Sequence, residues 1–542
     1  MTNLVDHFPD GFTPTPPQDK VLGEITEAFK KHKFVIVCAP TGSGKSFIAK
    51  TLANASKKPT QRFVDLTESY RIYEKVEGQF TYKDECIDMP KAGGAVLTIT
   101  KALQDQYERL FNDLQVLKGK SNYICAVDEN YSVDTAPCLL VEKLKKECWA
   151  CNRCTYYNAR NDAIASKFSV FNYTMYMCLP EHVKQREYLI CDEAAELEDE
   201  IVKNFSVDLR TKTLHHLVPD FKQYVDVDNL ASVRGYLNAL APELMELISD
   251  LQKKLGENNR AKKSNSSILG KLTTAKTLHG QIETALDKWQ TCEYIAETTK
   301  VGLVIQPLKV DKLANSLFKH AEKVLLMSAT IIDPANFAKS LGITDYEYIE
   351  VPSSFDPQKA PIIVSSKYKM NNANWENLMP AFKGIVDKIC DSHKDDKGII
   401  HTQNMNITNY MRENLKGNRF LFREQGVMNQ EILEQHLASG TNTVLVSPSM
   451  THGVDLKDDL ARFQIIIKAP YLPLNSKRIK KLFQMDPQWY ANRMLTTVIQ
   501  AAGRGIRSKD DHCVTYIIDG NIAQAIIDNA SKLPKYFINR FL

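Results

Sequence analysis

A run of small and polar residues near the N-terminus has the composition of a phosphate-binding loop. The segment APTGSGKS occupies residues 39–46, after the apolar run FVIVC and before the helix-like SFIAKTLANAS. Glycines at 42 and 44 let successive backbone N–H groups point at a phosphate, Lys45 reaches the terminal phosphates, and the Ser46 hydroxyl suits Mg²⁺. The first position of the usual pattern is Ala39 rather than glycine. We predict a nucleotide site formed by Thr41, Gly42, Ser43, Gly44, Lys45 and Ser46.

A partner for the metal follows another apolar run, YLIC, which ends in Asp192 and Glu193. A strand ending in Asp-Glu is by itself equally typical of a helix cap. Together with a phosphate-binding loop, it favours Asp192 as a ligand of Mg²⁺ through water and Glu193 as the group that polarises the attacking water. The two motifs are separated by 147 residues from Lys45 to Asp192, which leaves room for an insertion.

Two arginines near the C-terminus, Arg504 and Arg507, lie three residues apart in the segment QAAGRGIR. That spacing places both on one face of a helix, from which they can reach the γ-phosphate of a nucleotide held by another domain. A nucleotide pocket lined from both sides of a cleft is the physical basis of a motor, because hydrolysis changes the separation of the domains.

Five of the twelve cysteines fall in one window of 30 residues. Three of them follow a tight Cys-x-x-Cys-x-x-Cys spacing, which resembles ferredoxin ligation, although four thiolates also suit Zn²⁺. Spacing alone leaves an iron-sulfur cluster and zinc as equal alternatives. Either Cys125 or Cys138 could complete a four-sulfur site with these three, so at least one of the five candidates is a bystander. The candidates are Cys125, Cys138, Cys148, Cys151 and Cys154.

The elements that must position these residues alternate between short apolar, β-rich runs and helical patterns. This alternation predicts an α/β fold with two mostly parallel sheets, joined between Asp333 and Pro357. A stretch over residues 206–299 breaks the rhythm, because leucines at spacings of three and four indicate amphipathic helix. The predicted strands are Phe34–Cys38, Ala95–Ile99, Tyr188–Cys191, Val324–Met327, Ile362–Val364, Gly398–Ile400, Thr443–Val446, Phe463–Ile467 and Val514–Ile518.

Composition excludes several classes of protein. The 542 residues include 69 basic and 65 acidic ones, a net charge of +4, so nucleic-acid binding over the whole surface is not expected. The basic run over 477–481 and the loop around Arg260, Lys262 and Lys263 are interpreted as solvated faces. No apolar run approaches the ~18 residues of a membrane span, and no signal peptide is evident. We expect no membrane association and a cytoplasmic location, or a nuclear one in a eukaryote.

The ordered motifs resemble the iron-sulfur superfamily 2 helicases of the XPD/DinG type. They are TPTPPQ with Gln18, APTGSGKS, TITKALQDQY, the cysteine window, FNY, CDEAAELED, MSAT, GIIHTQN, MTHGVDL leading into KAPYLPL, and QAAGRGIR. The resemblance implies two RecA-like P-loop motor domains, with an iron-sulfur domain and a helical arch inserted in the first. We therefore expect motor domain 1 at 1–120, 160–205 and 300–335, the iron-sulfur domain at 121–159, the arch at 206–299 and motor domain 2 at 336–542.

The resemblance also implies roles for single residues. Gln18 would read adenine, Ser328 and Thr330 would couple hydrolysis to DNA, and Gly453 and Asp455 would lie at the nucleotide interface. Gln500 would complete the pocket beside Arg504 and Arg507. The resemblance favours a [4Fe-4S] cluster over zinc, with Cys125 and Cys154 as the first and last ligands. At least one of Cys138, Cys148 and Cys151 is then a bystander. Candidate contacts to the DNA backbone are Thr98, Thr100, Gln104, Ser328, Thr330, His401 and Thr402.

The implied activity is ATP- and Mg²⁺-dependent translocation 5′ to 3′ on single-stranded DNA, with separation of forked duplexes by a monomer, in DNA repair for example. Two residues depart from the family pattern: Ala195 replaces the histidine of Asp-Glu-Ala-His, and His452 replaces the usual glutamate before Gly453. The missing histidine motivates an alternative, a nucleotide-gated DNA-binding or remodelling factor with weak ATPase activity and no strand separation.

Overall fold

The computed structural model contains two parallel sheets, each covered by helices on both faces, and a small third sheet under a helical hairpin. Within the described residues, no helix combines the length and apolar composition that a membrane span requires. The structure describes residues 3–58, 73–76, 79–82, 91–136, 138, 154–260, 266–365, 367–423, 429–448, 456, 458–505 and 511–542.

The first sheet has seven parallel strands in the order β12-β1-β11-β7-β4-β6-β5. Side chains of β1 alternate between two buried clusters, with Ile36 on one face and Val35 and Val37 on the other. Burial on both faces explains why these strands are continuous apolar runs. The strands are β1 (Phe34–Cys38), β4 (Gly94–Thr98), β5 (Gln115–Leu117), β6 (Phe168–Asn172), β7 (Arg186–Asp192), β11 (Ala321–Ser328) and β12 (Tyr346–Glu350), and a separate hairpin is formed by β2 (Tyr73–Val76) and β3 (Gln79–Tyr82).

The second sheet has six parallel strands in the order β13-β18-β17-β14-β16-β15. Its strands are β13 (Ile362–Val364), β14 (Gly398–His401), β15 (Phe420–Phe422), β16 (Val444–Ser447), β17 (Phe463–Ile466) and β18 (Val514–Ile517). The prediction of an α/β fold with two parallel sheets is confirmed, and each predicted strand is present to within two or three residues at its ends.

The insertion after β7 is a helical hairpin that stands on a three-stranded antiparallel sheet. The helices Leu230–Arg260 and Ser266–Asp287 bury the leucine stripe of the sequence, including Leu237, Leu240 and Leu244. The sheet was not predicted, because β8 (Val207–Arg210), β9 (Tyr294–Thr299) and β10 (Gly302–Pro307) are short and each mixes apolar with polar residues.

Two of the expected boundaries need correction. β12 pairs with β1, so the first motor domain continues past residue 335 to at least Glu350. β10 pairs with β8 and β9, so residues 302–307 belong to the sheet under the hairpin rather than to motor domain 1. β12 alternates aromatic or apolar residues with glutamate and so has no continuous apolar run, whereas the apolar run of β10 is only three residues long.

The remaining helices cover the sheets and connect their strands. In the first domain they are Pro16–Lys31, Lys45–Ala55, Lys101–Leu110, Thr155–Ala165, Tyr173–Met177, Leu197–Asn204, Asp311–Phe318 and Pro334–Ser340, and Thr211–Leu217 belongs to the insertion. In the second they are Trp375–Ser392, Met405–Asn414, Asn429–Ala438, Lys477–Met485, Pro487–Ala502, Gly520–Asn529 and Lys535–Ile538. Short 3-10 turns lie at Leu4–His7, Lys120–Asn122, Glu181–Val183, Ala194–Glu196, Pro357–Lys359, Asp458–Leu460 and Ala530–Lys532.

Candidate active site

Four neighbouring strands of the first sheet, in the order β1-β11-β7-β4, end at one edge of the sheet. β1 continues into the phosphate-binding loop, and the last residues of β11, β7 and β4 are Ser328, Asp192 and Thr98. Ligands of open parallel sheets bind at the carboxyl ends of the strands, where the side chains of several connections converge. The sheet order therefore assembles motifs that lie far apart in the sequence.

The loop between β1 and the helix Lys45–Ala55 has the backbone that a phosphate cradle requires. Gly42 and Gly44 have φ of 79° and 81°, in the left-handed region that favours glycine. A Cβ at Gly44 would lie 2.0 Å from Gln18 Nε2, and a Cβ at Gly42 would lie 2.5 Å from Phe355 Cζ. Ser43 Oγ is buried and has no partner within the described residues, which leaves a polar atom for a ligand to satisfy. These features fit a bound nucleotide.

Gln18 is buried at the start of the helix Pro16–Lys31 and contacts the loop directly. Its Nε2 donates to Ser43 O over 3.2 Å, and its Oε1 accepts from Thr15 N over 2.9 Å. The structure thus brings Gln18 to the nucleotide loop, as the resemblance implied.

Asp192 and Glu193 lie opposite Lys45. Glu193 Oε1 is 3.4 Å from Lys45 Nζ, and Glu193 Oε2 accepts from Ser328 Oγ over 3.3 Å. Asp192 Oδ2 accepts from the buried hydroxyl of Tyr107 over 3.0 Å, so the aspartate is held rigidly beside Ser46 and the loop. Ser46 and Asp192 are the oxygen groups available to Mg²⁺ at this edge.

Burial and like charge raise the pKa of Asp192, because the neighbouring Glu193 disfavours a second negative charge. Burial acts to lower the pKa of Lys45, but the charges of Glu193 and Asp192 outweigh that effect and raise it. Lys45 therefore remains positively charged and balances the two carboxylates. When a magnesium-bound triphosphate is present, its phosphates would take the place of Glu193 as the partner of Lys45.

Ser328 and Thr330 are buried next to this carboxylate pair. Their hydroxyl oxygens lie 3.4 Å apart, and Thr330 N donates to Ser328 Oγ over 3.3 Å. Ser328 also donates to Glu193, so a movement of the Glu193 carboxylate would displace the end of β11. This placement suits a coupling role but offers little surface to DNA.

The second motor domain contributes the far end of the helix Pro487–Ala502. Gln500 Nε2 donates to Glu196 Oε1 over 3.0 Å, which brings Gln500 next to the carboxylate segment of the first domain. Arg504 follows the helix and is half-buried. Arg507, Gly453 and Asp455 lie outside the described residues.

Several candidates for DNA contact are packed inside their own domain. Gln104 donates to Leu117 O over 3.3 Å, Thr98 donates to Phe171 O over 3.4 Å, and the Thr402 hydroxyl pairs with Thr408 over 2.6 Å. These three side chains are buried and offer no surface to a DNA backbone in this structure, so their contact with DNA stays a prediction. Hydrogen bonds within their own domains account for these polar side chains in the interior.

Two further DNA candidates differ from each other. His401 is buried, and burial lowers its pKa to about 4, so its ring is neutral and packed in the core; its contact with DNA stays a prediction. Thr100 is exposed and caps the helix Lys101–Leu110 by accepting from Leu103 N over 3.3 Å. Thr100 is thus available at the surface.

Two of the candidate cluster ligands are brought together. Thr155 Oγ1 donates to Ile124 O over 3.0 Å, so the backbone next to Cys125 adjoins the backbone next to Cys154. Both thiols are buried, and Cys138 packs against the same apolar core. Cys148 and Cys151 lie outside the described residues, and among those described no group of three or more His, Cys, Asp or Glu residues is arranged to hold a metal. The placement of Cys125 and Cys154 fits a shared site.

Sequence reasoning missed several residues that shape the site. Tyr107 and Tyr173 both donate to Asp192, to its carboxylate and to its backbone carbonyl over 2.9 Å respectively. They lie within TITKALQDQY and FNY, whose presence was noted although their contacts were not. Phe355 comes from the segment joining the motor domains and packs between the phosphate loop and the second domain, near Cys513.

Comparison with known proteins agrees with this geometry. Residues 389–539 match the family described as the helicase C-terminal domain, and residues 11–206 match the res subunit of type III restriction enzymes. The ATP-dependent DNA helicase YoaA of Escherichia coli is 22% identical over 94% of this chain and 92% of its own. The ATP-dependent DNA helicase XPD of Sulfolobus acidocaldarius is 21% identical over 93% of this chain and 95% of its own. A solved XPD helicase structure aligns with a TM-score of 0.64 at 16% identity, covering 96% of this chain and 98% of that one, and shows the fold.

The fold and the site define an ATP-hydrolysing motor with two RecA-like domains. Over 93–96% of its length the chain is similar to helicases of the XPD/DinG type.

Proposed function

We propose that this helicase translocates 5′ to 3′ on single-stranded DNA, as a monomer, and couples ATP hydrolysis to the separation of forked duplexes. The observation that carries the proposal is the contact between Gln500 and Glu196, which joins the second motor domain to the carboxylate segment of the first. A nucleotide between the two domains would then change their separation, and a change of separation is what moves a strand. The names of the relatives YoaA and XPD, both DNA helicases, support DNA as the substrate.

The side chains of the first domain suggest how hydrolysis proceeds. Lys45 contacts Glu193 at 3.4 Å and is placed to exchange that carboxylate for the terminal phosphates. Glu193, still oriented by Ser328, can then accept a proton from the attacking water. Ser46 and Asp192 would hold Mg²⁺, which neutralises charge on the phosphates. Gln500 reaches this site from the second domain, and Arg504, four residues further on, would approach the nucleotide from the same side.

Strand-displacement assays on 5′-tailed and 3′-tailed forks test this proposal, with Lys45→Ala as the inactive control. We expect displacement from the 5′-tailed fork only, ATP turnover that rises with single-stranded DNA, and neither activity in Lys45→Ala. Displacement from the 3′-tailed fork alone would overturn the polarity. Retained ATP turnover in Lys45→Ala would overturn the assignment of the site.

A [4Fe-4S] cluster held by the cysteine window is proposed as a brace for a small domain against which the duplex splits. The juxtaposition of Cys125 and Cys154 supports a shared thiolate site. Protein purified without oxygen should be brown and contain about four iron and four sulfide per chain, and Cys125→Ser should lose the colour, whereas Cys390→Ser, a buried cysteine of the second domain, should keep it. Stoichiometric zinc in a colourless protein would establish the zinc alternative instead.

The second candidate, a nucleotide-gated DNA-binding or remodelling factor, is favoured by Ala195. This residue presents only a methyl group where the family pattern has a histidine. ATP hydrolysis without strand displacement on either fork would establish this candidate and reject the helicase proposal.

A further inference from the structure

Three acidic residues lie within six positions after Glu193, and their contacts define a group that we call the acidic strip: Glu196, Glu198 and Asp199. Glu198 is buried and accepts from Arg478 Nη2 over 2.9 Å and from Trp489 Nε1 over 2.8 Å. Asp199 forms an ion pair with Arg493. All three donors belong to the second motor domain, so the strip fastens the two domains together beside the nucleotide site.

Glu196 is the member of the strip that contacts Gln500, over 3.0 Å from Oε1 to Nε2. An ionised carboxylate only accepts hydrogen bonds, so it must face the nitrogen end of the amide. The other end, Gln500 Oε1, is buried and has no partner within the described residues. Glu196 thereby fixes the orientation of the amide and leaves its acceptor oxygen for a donor that enters the cleft.

The preceding residue, Ala195, has no polar side chain to make this contact. Its carbonyl oxygen accepts from Arg493 Nη1 over 3.1 Å, so the backbone at this position is also fixed from the second domain. Because the backbone is anchored on Arg493, the Glu196 side chain one residue further along reaches the site at which Gln500 needs an acceptor.

We propose that Glu196 is a positioning residue that takes the place of the absent histidine, orienting Gln500 and keeping the motor domains engaged when no DNA is bound. The inference rests on the proposed function, since it predicts how far ATP hydrolysis depends on DNA. Engagement without DNA gives this chain a higher basal turnover and a smaller stimulation by DNA than a histidine-dependent contact would.

Steady-state ATP turnover of Glu196→Ala, Gln500→Ala and the double variant, with and without single-stranded DNA, tests the inference. We expect Glu196→Ala to lower the DNA-free kcat about tenfold, the usual effect of losing one charge-assisted hydrogen bond. Turnover with DNA should fall less, because bound DNA also holds the domains together, so the stimulation ratio rises. In the Gln500→Ala background, Glu196→Ala should add no further loss.

Glu196→Gln and Glu200→Ala complete the experiment. The amide of Glu196→Gln can present either end to Gln500, so its loss should be intermediate. Glu200 lies on the helix that begins directly after Glu196 but contacts Thr174 at 3.4 Å and Lys203 at 3.8 Å, both in the first domain, so Glu200→Ala should behave as wild type.

Independent, multiplying effects of Glu196→Ala and Gln500→Ala would overturn the inference, as would equal losses with and without DNA. The outcome differs from a failure of the proposed function, which would appear in the wild type as turnover that ignores DNA and as intact forks. The comparison of single and double variants in the absence of DNA still decides the role of Glu196 in that case.

Discussion

Glu193 adopts a backbone conformation that non-glycine residues rarely take, with φ of 52°. Such a conformation costs about 1–3 kcal/mol and persists where surrounding contacts impose it. Here those contacts are Lys45 at 3.4 Å and the Ser328 hydroxyl at 3.3 Å, together with the bond from Glu193 N to Asp192 Oδ1 at 3.0 Å. The strain turns the catalytic carboxylate back over the phosphate loop, which a regular continuation of β7 would not do.

His401 yields a prediction about acid stability. Burial lowers its pKa to about 4, below the 6.5 of an unfolded histidine, so as pH falls the unfolded chain binds the proton first. The stability that comes from keeping the ring neutral is present above about pH 6.5 and is lost progressively towards pH 4, by up to about 3 kcal/mol. His401→Gln should therefore lose less stability than the wild type between about pH 7.5 and about pH 5.

Urea denaturation followed by circular dichroism at the two pH values measures this difference. His215→Gln, which replaces an exposed histidine, should keep the pH dependence of the wild type. The groups that face His401 are Gln464 and Arg504, and neither changes charge over this range. An unchanged pH dependence in His401→Gln would contradict the prediction.

At the scale of elements, the edge formed by the ends of β1, β11, β7 and β4 decides the chemistry. Register matters because each strand end delivers one group: Cys38 aligns with Ser328, and Met327 aligns with Asp192. A slip of one residue would turn these side chains to the opposite face of the sheet. The buried apolar runs fix the register and so fix the distances in the site.

Gly44 yields a prediction for the phosphate loop. Gly44→Ala would place a Cβ 2.0 Å from Gln18 Nε2 at a φ of 81°, so the loop must distort and the contact to Gln18 must break. We expect at least a tenfold loss of affinity for ATP, measured by titration with a fluorescent ATP analogue, and a loss of about 1–3 kcal/mol in stability. Gly23→Ala is the matched control, because a Cβ there meets nothing within 4 Å and lies inside a helix. Alanine there should stabilise the helix by up to about 1 kcal/mol, and a wild-type affinity in Gly44→Ala would contradict the role of the loop.

At the scale of the whole molecule, the 69 basic residues are nearly matched in number by 65 acidic ones. Some of these opposite charges pair across domains. The helix Lys477–Met485 shows this: Lys477 pairs with Asp228 at 2.6 Å, and Lys481 pairs with Glu293 at 2.5 Å. The interpretation of this basic run as a solvated face is wrong for Arg478, which is buried and donates to Pro307 O over 3.0 Å. The helix docks the second motor domain on the base of the arch.

Arg478 yields a prediction about that docking. Arg478→Met would leave Glu198 buried with Trp489 as its remaining donor, a situation that typically costs about 3–5 kcal/mol. Thermal unfolding should show a clear fall in Tm, and the double variant Arg478→Met/Glu198→Gln should recover part of it. Lys481→Met, which breaks a half-exposed pair, should cost about 0–1 kcal/mol. Equal losses in Arg478→Met and Lys481→Met would contradict the distinction.

A site residue could be predicted from the sequence only where a local motif marks it. Lys45, Asp192 and Glu193 were found because their motifs adjoin buried apolar strands, which local patterns reveal. Tyr107 was missed as a hydrogen-bond donor to Asp192, which lies 85 residues further along the chain. A tyrosine in a helix does not indicate which strand it will contact.

Several predicted DNA contacts turn out to be buried polar residues. Thr98, Gln104 and Thr402 have the residue types of DNA contacts, but hydrogen bonds within their domains satisfy them. Whether a polar side chain faces solvent or a neighbouring backbone depends on packing that the sequence does not express locally.

The sequence by itself determined the class of motor, because phosphate binding, metal binding and parallel strands each require particular residue types at short, fixed spacings. Only the tertiary structure decided how the domains engage. The contacts of Glu196 with Gln500, of Glu198 with Arg478 and of Asp199 with Arg493 join residues about 280 to 304 positions apart. Such contacts depend on the relative placement of two independently packed cores, and no local pattern of residues encodes that placement.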